Sequence, residues 1–297
     1  MGRSMNIDFS RLIESYKLLI NGRLEEILPG ENVRPVSLHR AMRYTALGGK
    51  RLRGILCMAL HELFGDTHQK ASLDAAASIE LLHAYTLIHD DLPALDDDDM
   101  RRGKPSCHVK FGEAVAVLAG DALQALAFEV MSSLPAPPEL SVEATNVLAH
   151  SAGSLMLVGG QVVDVESEGR KADEDLVTYI HSRKTGELIA ASMSIGALLS
   201  GAKKEDYLNV HRIGRKVGLA FQIIDDILDL TGTEEQVGKR LRKDEEKGKV
   251  TYPSVFGLES SREKAVRLVD EAVDEISQFG DISFIQHVFD LIVNRIK

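Results

Sequence analysis

Apolar residues recur along this chain at helical spacing and nowhere alternate for long. Ile79 to Asp91 (IELLHAYTLIHDD) follows that spacing, Glu113 to Met131 gives a second long segment, and Ala220 to Leu230 a third. Without sustained period-2 alternation, no strands are predicted and the chain reads as helices throughout. Leu188 to Leu199 is apolar on nearly every face, which predicts a helix at the centre of a large bundle or at a subunit interface. Breakers are few: Pro29-Gly30, Gly48-Gly49, Gly103 with Pro105, Leu134 to Pro138, Gly159-Gly160 and Tyr252-Pro253. The segment SLPAPPEL reads as a loop between helices, because composition is the same on both sides of it. Neither a short-period repeat nor a low-complexity tract interrupts the pattern. The expectation is a single all-α domain over residues 1–297.

Composition narrows the picture. A chain of 297 residues that is 44% hydrophobic can bury one large core. Net charge is -10, and that acidic balance argues against nucleic acid as a partner. Two cysteines, Cys57 and Cys107, make no disulfide framework at this length, so a reducing cytoplasm is expected. Residues 1–30 are polar and amphipathic, without the apolar core of a secretory leader. The uncharged stretch Leu188 to Ala202 contains serines and glycines and is too short to span a bilayer. A buried core helix and no stable membrane insertion are expected.

The acids are not spread evenly. Asp90, Asp91, Asp96, Asp97, Asp98 and Asp99 crowd into HDDLPALDDDD, and Asp225, Asp226 and Asp229 into QIIDDILD. Packed like charges repel, and an ionised carboxylate without a partner is costly to bury. Two such clusters call for a shared countercharge, and hard divalent cations bridging them to an anionic substrate supply one. Gln222, Asp225 and Asp229 are spaced three and then four, which places them on one helical face. Ile223, Ile227 and Leu230 form a separate apolar stripe. Glu80, His83, Leu87 and Asp90 share a face of the earlier helix. Pro93 then interrupts it, so a bend can bring Asp90 and Asp96 onto one ion. Magnesium suits such a site, since it keeps waters and is held by one or two carboxylates plus substrate phosphate. A calcium loop starting at Asp96 fails, lacking the required glycine and the closing glutamate. Cys107 and His108 have no partners at finger spacing and are not a zinc site.

Basic residues complement the clusters. Gly48-Gly49-Lys50-Arg51-Leu52-Arg53 offers a flexible turn followed by cations suited to phosphate oxygens. It is not a Walker A loop, whose spacing is absent. Arg101-Arg102, Lys184-Thr185, Lys239 and Lys249 add to the supply.

These motifs, in this order, resemble the trans-prenyl diphosphate synthases, and among them the bacterial farnesyl type. The resemblance covers nearly the whole chain: GGKRLR (48–53), the long run from LLHAYTLIHDD to AGDAL (81–123), GGQVVDVESEG (159–169), RKTGELI (183–189), FQIIDDILD (221–229) and GKRLRKDEEKGKVTYP (238–253). It implies an all-α bundle around a central apolar cavity, usually as a homodimer. The implied reaction condenses isopentenyl diphosphate with dimethylallyl and then geranyl diphosphate to give farnesyl diphosphate. The implied cofactor is Mg2+, about three ions per site. Carried over by position, Asp90, Asp96, Asp225 and Asp229 are the metal-site carboxylates. Arg101, Lys184, Lys239 and Lys249 serve the allylic diphosphate. Lys50, Arg53, His83 and Arg102 hold the diphosphate of isopentenyl diphosphate. Thr185 and Gln222 turn oxygen dipoles on the developing cation. One departure is Gly54, where proline is more usual after GGKRLR; it is expected to loosen that turn.

The resemblance also bears on product length. Tyr85 lies about 7.5 Å below Asp90 along the helix axis. A bulky aromatic there resembles the floor that stops growth at fifteen carbons, and a small residue at Thr86 leaves room for the ten-carbon intermediate. A geranylgeranyl diphosphate synthase is the first alternative, and Tyr85 argues against it. A class I terpene cyclase needs no second diphosphate site, so Lys50, Arg53, His83 and Arg102 argue against that. A catalytically silent partner of another synthase is expected to lose aspartates from one cluster, and both are whole.

Overall fold

The structure is a computed structural model describing residues 8–65, 67–170, 173–232 and 249–294. Helices dominate. In chain order they are α1 (Phe9–Ile27), α2 (Val36–Ala46), α3 (Leu52–Leu63), α4 (Gln69–Asp90), α5 (Cys107–Phe111), α6 (Glu113–Ser132), α7 (Pro138–Ala152), α8 (Leu157–Ser167) and α9 (Glu174–Ile180). A six-residue π turn (His181–Gly186) runs straight on into α10 (Glu187–Leu199). Then follow α11 (Lys204–Thr231), α12 (Tyr252–Phe256), α13 (Leu258–Ile276) and α14 (Ser283–Val293). The sequence reading of helices throughout needs one small correction. Strands β1 (Met100–Arg101) and β2 (Lys104–Pro105) form an antiparallel pair after the acidic run, too short to leave an alternating pattern.

Helix starts follow local chemistry. Asp173 caps α9 by accepting from the Leu176 N–H at 2.9 Å. Thr251 and Ser254 cap α12 reciprocally, and Pro138 opens α7 where no N–H is needed. The three apolar segments marked in the sequence fall inside α4, α6 and α11, apart from Asp91 just past the end of α4.

Every residue of α10 is buried, as its all-round apolar sequence predicts. It packs against α3, α7 and α11, and α4 lies against α3 and α6. This central layer turns the C-terminal halves of α4 and α11 and the π turn toward one cavity. Glu187, at the start of α10, is 1% exposed yet satisfied. It accepts from His211 Nε2 and Arg215 Nε, each at 2.8 Å, tying α10 to α11.

The Gly159-Gly160 pair reads as a helix breaker and instead lies inside α8. Packing overrides propensity here, because α8 lies directly on the π turn and leaves no room for a side chain at Gly160.

Candidate active site

Helix α4 ends in the first acidic cluster. After Leu92 the chain turns back on itself. The Asp96 N–H donates to the Asp90 carbonyl at 2.8 Å, and the Asp98 N–H to the Asp91 carbonyl at 3.1 Å. The bend foreseen at Pro93 therefore brings Asp90 and Asp96 to one cavity wall. The cavity is about 280 Å³. Asp225 faces it from α11, and Lys184 and Thr185 from the π turn. Burial pushes the Asp90 carboxyl up to about 6, against the pull of Lys184, with Asp96 adding to the rise.

The cations are held ready. Arg101 donates to both oxygens of Asp91, its Nε lying 3.0 and 3.2 Å from them, and it lines the cavity. Lys184 Nζ donates to Asp164 Oδ2 at 2.6 Å. Burial would lower the Lys184 ammonium, but Asp164, Asp90 and Asp96 outweigh it and leave it above its ordinary value. Lys249 reaches across to Asp96 Oδ1 at 2.7 Å. Arg53 donates toward His83 Nε2 at 3.2 Å, and burial draws Arg53 down to about 10, still charged at neutral pH. Burial, with Arg53 and Arg102 alongside, holds His83 well below its ordinary value, so its ring is neutral. Thr185 Oγ1 donates to Gln222 Oε1 at 2.7 Å.

Other sequence-marked residues stand around this centre. Lys50 is exposed on the turn before α3. The Arg102 guanidinium nests on Gly49, which has φ +108° and where a Cβ would stand 2.6 Å from Arg102 Nη2; that fit accounts for the glycine pair. Thr86 lines the cavity, whereas Tyr85 is buried beside it and meets His89 edge-on at 5.1 Å. Asp229 is buried one turn beyond Asp225. Lys239 lies outside the described residues. Two placements differ from the helical-face reading. Leu230 is 38% exposed and not part of the apolar stripe of Ile223 and Ile227. Glu80 leaves the face of His83 and Asp90 and turns to α3, accepting from the Gly54 N–H at 2.9 Å and from Arg51. Gly54 thus anchors the start of α3 instead of loosening it.

Sequence reasoning missed the supports. Asp164 and Gln161 of α8 line the cavity, as do His181 and Asp226. GGQVVD was visible as a motif, but nothing in it said which residue would meet a lysine.

Among the described residues, no three acids, histidines or cysteines form a metal cage by themselves. Asp90, Asp96 and Asp225 nevertheless offer only hard oxygens to one cavity that also carries cations. That donor set fits magnesium, which completes its shell with waters and substrate phosphate.

An all-α bundle with two aspartate clusters facing each other across a cation-lined cavity defines a class of diphosphate-handling enzymes. The chain belongs to the polyprenyl synthetase family, which it matches over residues 35–292. It is 44% identical to the geranylgeranyl diphosphate synthase of Cyanophora paradoxa, covering 99% of each chain. It is 42% identical to the farnesyl diphosphate synthase of Escherichia coli K12, over 98% of this chain and 100% of that one. The crystal structure of a Helicobacter pylori geranyltransferase, complexed with magnesium and isoprenyl diphosphate, superposes with a TM-score of 0.85 at 30% identity, covering 98% of both chains. The activity is that of a trans-prenyl diphosphate synthase, a prenyltransferase of a family that uses magnesium.

Proposed function

We propose that this synthase makes farnesyl diphosphate, adding isopentenyl diphosphate first to dimethylallyl and then to geranyl diphosphate. The observation that carries the reading is the lining of one cavity by Asp90, Asp96 and Asp225 together with Lys184, Arg101, Lys249 and Arg53, with small Thr86 and apolar Leu87 in the same wall. Arg101, Lys184 and Lys249 take the allylic diphosphate, with Lys239 as a further cation. Arg53, Lys50, Arg102 and neutral His83 take that of isopentenyl diphosphate. Magnesium, about three ions on Asp90, Asp96, Asp225 and Asp229, supplies Lewis-acid neutralisation of the leaving group.

The allylic C–O bond breaks, and its electron pair leaves with the diphosphate. Thr185 and Gln222 present oxygen dipoles to the positive carbon. The double bond of isopentenyl diphosphate supplies the electrons of the new C–C bond, and the departing diphosphate accepts the lost proton. Lys249, Val250 and Thr251 line the same cavity and help to keep out water that would quench the cation to an alcohol. Tyr85 sets the floor behind Thr86.

A homodimer fits α6, which is largely apolar yet leaves most of its residues unburied within one chain. By length and composition α6 also reaches the span of a bilayer. Its packing on α4 and the acids Glu113, Asp121 and Glu129 favour an interface between copies over insertion. Cytoplasmic residence fits two buried, unbridged cysteines.

The geranylgeranyl alternative is supported by several relatives of that name, among them the Cyanophora protein and the Arabidopsis thaliana geranylgeranyl pyrophosphate synthase 4, 43% identical to this chain. The test is product length. Purified protein with magnesium receives dimethylallyl diphosphate and labelled isopentenyl diphosphate, and the dephosphorylated alcohols are separated. A dominant fifteen-carbon alcohol is expected. A twenty-carbon product discards the floor, and no condensation discards the reading.

A further inference from the structure

Asp226 stands next to Asp225 in the second cluster, yet its carboxylate is engaged with the protein. It is 3% exposed. Its Oδ2 accepts from His181 Nε2 at 2.6 Å and from the Tyr252 N–H at 2.8 Å, and its Oδ1 accepts from Gln222 Nε2 at 3.0 Å. The donors come from three separate segments. His181 opens the π turn that carries Lys184 and Thr185, Gln222 sits one turn back on α11, and Tyr252 starts α12 just beyond Lys249.

A carboxylate only accepts hydrogen bonds, so the end of the Gln222 amide facing Asp226 is its NH2. The amide oxygen is thereby turned to Thr185, whose hydroxyl donates to it at 2.7 Å. The two ends of a glutamine amide are nearly equal in shape, and rotation by about 180° exchanges donor for acceptor at little steric cost. Packing alone therefore does not choose the direction. We propose that Asp226 is a positioning residue that locks the Gln222 amide with its oxygen, and not its N–H, toward the carbon that becomes positive. A reversed amide turns a donor on that carbon and opposes ionisation instead of favouring it. The inference rests on the prenyl-transfer reading of the site and adds to it the reason for a second aspartate in DDILD beside Asp225.

An exchange of the pair tests it. Asp226→Asn puts an amide N–H against Gln222 and frees the glutamine to reverse. Its kcat is expected to fall about tenfold or more, with KM for both diphosphates within about threefold of wild type. Gln222→Glu alone sets two carboxylates against each other and is slow. In the combined variant, the introduced asparagine amide donates to the introduced glutamate, and an oxygen faces Thr185 whichever way that carboxylate turns. The asparagine oxygen still accepts from His181 and Tyr252. The kcat of the combined variant is expected to return to within about threefold of wild type. Should Asp226→Asn alone fold poorly, the comparison of Gln222→Glu with the combined variant carries the same test, because the second change must speed the first. A combined variant no faster than either single one overturns the proposal, as does an Asp226→Asn that changes KM and leaves kcat alone. Wild type unable to condense the two diphosphates overturns the site reading and this inference together, an outcome distinct from an active wild type without rescue.

Discussion

A Cβ on Gly160 would stand 2.5 Å from the backbone nitrogen of Lys184. Helix α8 therefore rests its bare backbone on the peptide that presents the lysine. One turn on, Asp164 grips the Lys184 ammonium from the same helix. Contact and ion pair together fix both ends of that side chain.

Gly160→Ala tests the contact. Alanine is the better helix former by about 1 kcal/mol, so α8 itself gains. The π turn must still move, and kcat/KM is expected to fall about tenfold or more while far-UV circular dichroism stays the same. Steady-state kinetics with each diphosphate varied reads the loss.

Asp90→Ala and Asp225→Ala are each expected to abolish condensation with the fold kept. Burial already raises the Asp90 carboxyl, so its removal relieves a desolvation cost. The melting temperature of metal-free Asp90→Ala should equal or exceed that of wild type. Full activity in both variants would sink the metal assignment.

The same carboxyl predicts a pH effect on metal binding. With its ordinary value near 4 moved up to about 6, Asp90 holds a proton that magnesium must displace below that pH. Magnesium affinity, followed by calorimetry with a non-reactive diphosphate present, is expected to weaken as pH falls from 7 to about 5.

Product length should respond on both sides of the α4 backbone. Tyr85→Ala is expected to lengthen the product beyond fifteen carbons, and Thr86→Phe, which fills the cavity wall just below Asp90, to stop it at ten. Chromatography of the dephosphorylated alcohols reads both. A fifteen-carbon product that persists in Tyr85→Ala would place the floor elsewhere.

Acid stability should depend on Glu187. Burial would raise its carboxyl, but the hydrogen bonds from His211 and Arg215 outweigh it and hold it at about 2. A depressed carboxyl contributes stability above its unfolded value, about 4.3, and loses it as pH falls toward about 2. Wild type is expected to lose roughly 2 kcal/mol from this group across that window. Glu187→Gln lacks that slope and is less stable at pH 7, as denaturant titrations at several pH values would show.

The legible part of this molecule was the part written in charge and periodicity. Asp90, Asp96 and Asp225 announced themselves because clustered acids need a countercharge, and α10 because no polar face interrupts it. Gly159-Gly160 misled, since a glycine pair signals a break only while no neighbouring backbone demands its bareness. Asp164, Asp226 and His181 were not separable in advance. An aspartate that binds metal and one that orients a side chain look alike until their donors are placed. Glu80 shows the same limit: helical spacing put it with His83 and Asp90, but the Gly54 N–H and Arg51 drew it to the other side.

The π turn has a consequence for how this stretch can vary. Helices α9 and α10 are one rod interrupted by an extra residue, and each residue turns a helix by about 100°. That offset lets Lys184 and Thr185 look into the cavity while the thirteen residues of α10 stay wholly inside. Deleting one residue between His181 and Gly186 would rotate either the lysine out of the site or the core helix out of its packing. The number of residues in this stretch is therefore as fixed as the identities of Lys184 and Thr185 within it.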